Sequence, residues 1–102
     1  MGGVDEPEWA RTSVTVWEGE TAQQYEMSGA TLADQLSEAE GLLSALSARI
    51  LAERALDLSV RLFCSWTPAD GQHAMTLPPG LVKELAAVDG TFWMDVYPSD
   101  PR

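Results

Sequence analysis

Leu56-Asp57-Leu58-Ser59-Val60-Arg61-Leu62-Phe63-Cys64-Ser65-Trp66 is the stretch that decides the fold. Every even position is apolar, and every odd position except Phe63 is polar or charged. A period of two is the mark of a β-strand with one face on a core. Such a strand needs a covering layer, so its flanks should supply one.

Downstream, Pro68-Ala69-Asp70-Gly71 has turn chemistry. His73 to Leu77 is expected to return as a short strand. Pro79 suits the first turn of a helix over 79–89, where its missing N–H is no loss. Leu81, Leu85 and Val88 form the apolar stripe of that helix, and Gly90 is the stop signal. Thr91 to Tyr97 reads as a closing strand. Phe92, Met94 and Val96 point one way, and Trp93, Asp95 and Tyr97 the other.

Upstream lies the main helix, expected over 32–54. Leu32, Leu36, Ala39, Leu43, Leu46 and Ile50 recur at helical spacing, and Leu42 and Leu51 widen the stripe. Two start signals compete, Thr31 to Asp34 and the capping-box pattern Ser37 to Glu40. Residues 12–27 read as a β-hairpin. Val14 and Val16 alternate with Ser13, Thr15 and Trp17, and Glu18-Gly19-Glu20 forms a three-residue turn. The return strand, Thr21 to Met27, carries Gln23-Gln24, which has little β preference. Residues 1–10 are expected to be a loose acidic lead-in tacked down by Trp9, and 99–102 a frayed tail. One domain over 11–98 remains. Each helix has one apolar stripe and so covers one sheet face. The expected architecture is an α+β two-layer sandwich, with a mostly antiparallel sheet and both helices on one side.

Three stretches, Leu58-Ser-Val-Arg-Leu-Phe63, Leu77-Pro-Pro-Gly-Leu-Val-Lys-Glu-Leu-Ala86 and Met94-Asp-Val-Tyr-Pro98, follow a long helix. In this, residues 32 to 98 resemble the uncharacterised bacterial family known as domain of unknown function 4279. The resemblance implies the same α+β order of elements. That family usually has a longer entry region than residues 1–31 supply, and it has no established activity. No catalytic or binding residue therefore carries over.

Charge is distributed unevenly. Residues 1–40 hold nine acids and one basic residue, Arg11, which is −8 of the total −10. Such a field disfavours phosphate backbones and anionic membranes, and favours basic protein partners. Glu38 and Glu40 have a role near a helix start, and Asp34 fits the same role. Asp5, Glu6, Glu8, Glu18, Glu20 and Glu26 have no such local role and are candidates for partner binding. No apolar run nears the ~20 residues that span a bilayer, and no targeting or myristoylation pattern is present. One cysteine, Cys64, allows no intrachain disulfide and no cysteine zinc site, which suits a reducing cytoplasm.

Catalytic and metal constellations are not expected. His73 is the single histidine, and Cys64 shares the parity of the core residues of its strand. No EF-hand or phosphate loop occurs, and no cofactor is expected. The positive signal is aromatic. If Val14, Leu62 and Met94 face the helices, then Trp17, Phe63, Trp93 and Tyr97 face the other side of the sheet, among Asp57, Arg61 and Asp95. That face would bind a protein partner or a second copy of the chain, be covered by the lead-in, or form a small-molecule groove. The expected function is a small acidic, non-enzymatic interaction protein of bacterial or phage type. The alternatives are an acidic inhibitor that mimics nucleic acid, as in immunity or anti-defence systems, and a small-ligand or enzyme module with a pocket between the long helix and the sheet.

Overall fold

A computed structural model describes residues 8–52, 58–69, 71 and 74–97. The elements run β1 (Trp9–Glu18), β2 (Thr21–Glu26), α1 (Leu32–Ala52), β3 (Leu58–Thr67), α2 (Pro79–Ala87) and β4 (Thr91–Val96). The chain is an α+β two-layer sandwich. One four-stranded sheet has the order β2-β1-β3-β4, and both helices contribute to the core on one of its faces.

The alternation in β3 determines the core. Val60, Leu62, Cys64 and Trp66 are buried against Leu32, Leu36, Ala39 and Leu43 of α1 and against Leu81 and Leu85 of α2. β1 supplies Val14 from the same face. β1 begins at Trp9, so Trp9 and Ala10 belong to the sheet rather than to a lead-in. The hairpin turn is tighter than expected. Glu18 pairs with Thr21, which leaves a two-residue Gly19-Glu20 loop. Gly19 has φ of 61° and Glu20 has no positive φ, the pattern of a type II′ turn that matches the twist of the strands.

Thr31 wins the competition to start α1. The Asp34 N–H donates to its hydroxyl at 3.1 Å, and the helix runs unbroken through Ser37. Glu38 acts elsewhere. Its carboxylate accepts the N–H groups of Ser28 and Gly29 at 2.9 and 3.0 Å and fastens the loop that enters the helix. Gly90 is not the left-handed residue that ends α2. Asp89 takes that conformation, with φ of 53°, and the Gly90 N–H donates back to the Leu85 carbonyl at 2.8 Å. Gly90 serves through its size, since a Cβ there would sit 2.8 Å from the Leu85 side chain.

One further expectation is corrected. Residues 74–77 form no strand, because the chain runs straight into Pro78 and Pro79, where α2 begins; His73 lies outside the described residues. The sheet is mostly antiparallel, as expected: β1 pairs antiparallel with both its neighbours, while β4 pairs parallel with β3. The crossover through α2 returns the chain to the same end of the sheet, which makes the next strand parallel.

Candidate functional site

The odd-numbered strand residues meet on the sheet face away from the helices. β1 places Trp9, Arg11, Ser13, Thr15 and Trp17 there, and β3 places Ser59, Arg61, Phe63, Ser65 and Thr67. β4 adds Trp93 and Asp95, and Tyr97 follows. Among the described residues no element packs over this side. Trp93 and Tyr97 are 52% and 54% exposed, and Trp17 and Phe63 are half-buried by their neighbours.

Arg61 lies at the centre. Its guanidinium carbon is 5.0 Å from the Trp17 ring centroid and 5.1 Å from that of Trp93. Both distances are within cation–π range, and the rings flank the guanidinium from either side. Register explains the arrangement. Arg61 pairs with Thr15 and Thr91, so each tryptophan is a diagonal neighbour across one strand boundary. Among the described residues Arg61 makes no ion pair. Its hydrogen-bonding edge is open while its planar faces are held.

A second contact group orders the rim. Asp95 accepts the Trp93 indole N–H at 3.2 Å and lies 3.5 Å from the Tyr97 hydroxyl. These bonds hold Trp93 and Tyr97 along the β4 edge. The sequence places the aromatics on one face by parity alone. That Arg61 lies between two of them follows only from the register of three strands.

The acidic candidates divide. Asp5, Glu6 and Asp57 lie outside the described residues. Glu8 has a structural partner after all, since its carboxylate accepts the indole N–H of core residue Trp66 at 2.7 Å. Glu26 pairs with Arg11 at 2.6 Å across the hairpin. Glu18 and Glu20 remain exposed at the tip with no bond to another described residue. Among the described candidates, Glu18 and Glu20 are therefore the two acids that the fold leaves unengaged. Trp9, expected to tack the lead-in down, is a strand residue 52% exposed on the aromatic face.

Cys64 is fully buried, and its thiol lies 3.6 Å from the Thr12 hydroxyl. Burial pushes the thiol pKa up, and the hydrogen bond with Thr12 pulls the other way. The residue is a core thiol rather than a nucleophile. Beside it lies a network that sequence reasoning missed. Thr12 donates to Gln35 Oε1 at 2.6 Å, and Gln35 Nε2 donates to the carbonyls of Ala10 and Gly29, each at 2.9 Å. Among the described residues no group of three or more His, Cys, Asp or Glu is placed to hold a metal ion, and no helix is long and apolar enough to cross a membrane. A cleft of about 200 Å³ opens between the end of α1 and the hairpin, lined by Val16, Glu18, Tyr25, Leu46, Arg49 and Leu58 among others.

Fold and face together define a two-layer α+β domain with an aromatic sheet surface that no described element covers. Comparison with family models, with curated proteins and with solved structures finds no match to the chain.

Proposed function

We propose that this is a non-enzymatic interaction protein that docks a protein partner on the aromatic sheet face. The observation that carries the reading is Arg61 held between Trp17 and Trp93. Arginine and tryptophan dominate the energetic centres of protein interfaces. A guanidinium already clamped by two rings loses little side-chain freedom on binding. Its open edge suits a carboxylate or a backbone carbonyl on the partner, and Trp9, Phe63 and Tyr97 surround it with apolar surface. Kinship with the uncharacterised family rests on β3, the proline-started α2 and β4, and belongs to this proposal, as does a cytoplasmic setting.

The test compares proteins captured from the native host by the wild type and by Trp17→Ala and Arg61→Ala. A partner held by the wild type and lost by both variants supports the reading, provided the variants keep their circular dichroism. A partner held equally by all three refutes it.

Two other readings are weaker. An acidic mimic of nucleic acid would present a dense row of carboxylates, because duplex DNA carries a charge about every 1.7 Å. Among the described candidates Glu8 and Glu26 are engaged within the fold, which leaves Glu18 and Glu20 at one hairpin tip. A small ligand would use the cleft beside Arg49 and Tyr25. A thermal-shift screen with anionic small molecules tests that reading, since a ligand at one hundred times its Kd stabilises by about 2.7 kcal/mol.

A further inference from the structure

We infer that two copies of this chain pair edge to edge through β4, antiparallel, to form one continuous sheet of twice the width. β4 is the last strand of the sheet, and among the described residues nothing pairs with its outer side. The Tyr97 N–H donates to the Trp66 carbonyl at 2.8 Å, so the backbone of Tyr97 turns inward to β3. Strand backbones alternate, so Trp93 and Asp95 turn inward with it, and Phe92, Met94 and Val96 aim their N–H and C=O groups at the open edge.

Natural sheet edges are usually blunted by lysine, by proline, by a bulge or by inward-pointing charge. β4 has none of these devices. Its one charged residue, Asp95, is occupied by Trp93 of the same strand and by Tyr97, which follows it. Phe92, at 37% exposure, and Val96, at 51%, leave apolar surface on the helix side of the edge, just as Trp93 and Tyr97 do on the other side. β2, the opposite edge, carries Glu26 and Gln23-Gln24 and adjoins Glu20.

The occupant follows from charge and symmetry. A chain of net charge −10 repels its own copies unless they meet where the charge is lowest. Three strand spacings, about 14 Å, separate β4 from the acidic β2, more than the ~8 Å screening length at physiological salt. One register uses all three outward residues on both copies. Met94 meets Met94 of the second copy across a two-fold axis, and Phe92 meets Val96 of the second copy. That register builds an apolar row on the helix side and sets Trp93 opposite Asp95 of the second copy on the aromatic side.

Area sets the strength. Each aromatic side chain can bury about 150–250 Å², and Phe92, Trp93 and Tyr97 are roughly half open, so the pair covers at most about 450–750 Å² of aromatic surface besides the backbone. That is below the ~1,200–2,000 Å² of stable complexes, so the dimer is concentration-dependent, with a Kd between about 10 µM and 1 mM.

Sedimentation equilibrium should show the mass rising from 11.1 kDa toward twice that value across this range. Val96→Pro removes an outward donor and spares the bonds to β3, so it should keep the circular dichroism and stay monomeric. Amide exchange followed by NMR gives a second readout that needs no variant. The amides of Phe92, Met94 and Val96 should slow with concentration, by about two- to sevenfold between the two ends of the range as the monomer fraction falls, while those of Trp93, Asp95 and Tyr97 stay unchanged. A monomer throughout the range overturns the inference, and so does a dimer without that alternating protection. A dimer that Trp17→Ala dissolves and Val96→Pro leaves intact would place association on the aromatic face instead, refuting the edge while leaving the docking face in place.

Discussion

Replacing Gln35 by leucine tests how the sheet is fastened to α1. Gln35 is buried, with its amide spanning three groups: it accepts from Thr12 and donates to the Ala10 and Gly29 carbonyls. Leucine keeps the volume and removes all three bonds. A buried polar group left without a partner costs about 1–3 kcal/mol. Thr12 is wholly buried and bears that cost in full, because the sulfur of Cys64 at 3.6 Å is a weak acceptor. Ala10 and Gly29 are half-buried, so water recovers part of their loss. The added apolar surface returns about 1 kcal/mol. The expected net cost is about 2–3 kcal/mol, which lowers Tm by roughly 10–20 °C for a domain of this size. Urea unfolding followed by circular dichroism measures it. Thr12→Val combined with Gln35→Leu should cost less than the sum of the single changes by more than about 0.5 kcal/mol, because both remove the same bond. A single-variant loss under about 0.5 kcal/mol, or strict additivity, would show that the network does not hold the two layers together.

Other predictions concern glycine positions and the core thiol. Gly29→Ala should destabilise by about 1–3 kcal/mol in chemical denaturation, because a Cβ there would sit 2.7 Å from Asp34 Cβ and 3.0 Å from backbone atoms that cannot yield. Gly80→Ala should stay within about 0.5 kcal/mol of wild type in the same assay, because what a Cβ would meet is the movable carboxylate of Glu40. Burial raises the folded-state pKa of Cys64, so its contribution to stability is complete below the unfolded value near 9.0 and declines as pH rises through the folded one. Denaturation midpoints should therefore fall above about pH 9. Cys64→Ala should remove that part of the decline, and an unchanged slope would show that the thiol ionises alike in the folded and unfolded states.

Much of the fold was legible because periods are written along the chain. The alternation from Leu58 to Trp66 identified the central strand and its buried side before any partner was known. Leu32, Leu36, Ala39 and Leu43 identified the stripe of α1, and Pro79 its successor's first turn. The aromatic face was legible by the same parity argument. Glu8 was misjudged because its partner, Trp66, lies two strands and a helix away in sequence, and no local signal marks that bond. Gln35 was overlooked because it stands outside the apolar stripe, and a buried glutamine is recognisable only from the groups around it.

The sequence by itself determined where the strands and helices lie and which face of each meets the core, because burial demands a periodicity that the residues display in order. Only the tertiary structure decided that β4 runs parallel to β3 at an open edge and that Arg61 rests between Trp17 and Trp93. Those features depend on which strands become neighbours and in what register. That is settled by the crossover through α2 and by the packing of both helices on one face.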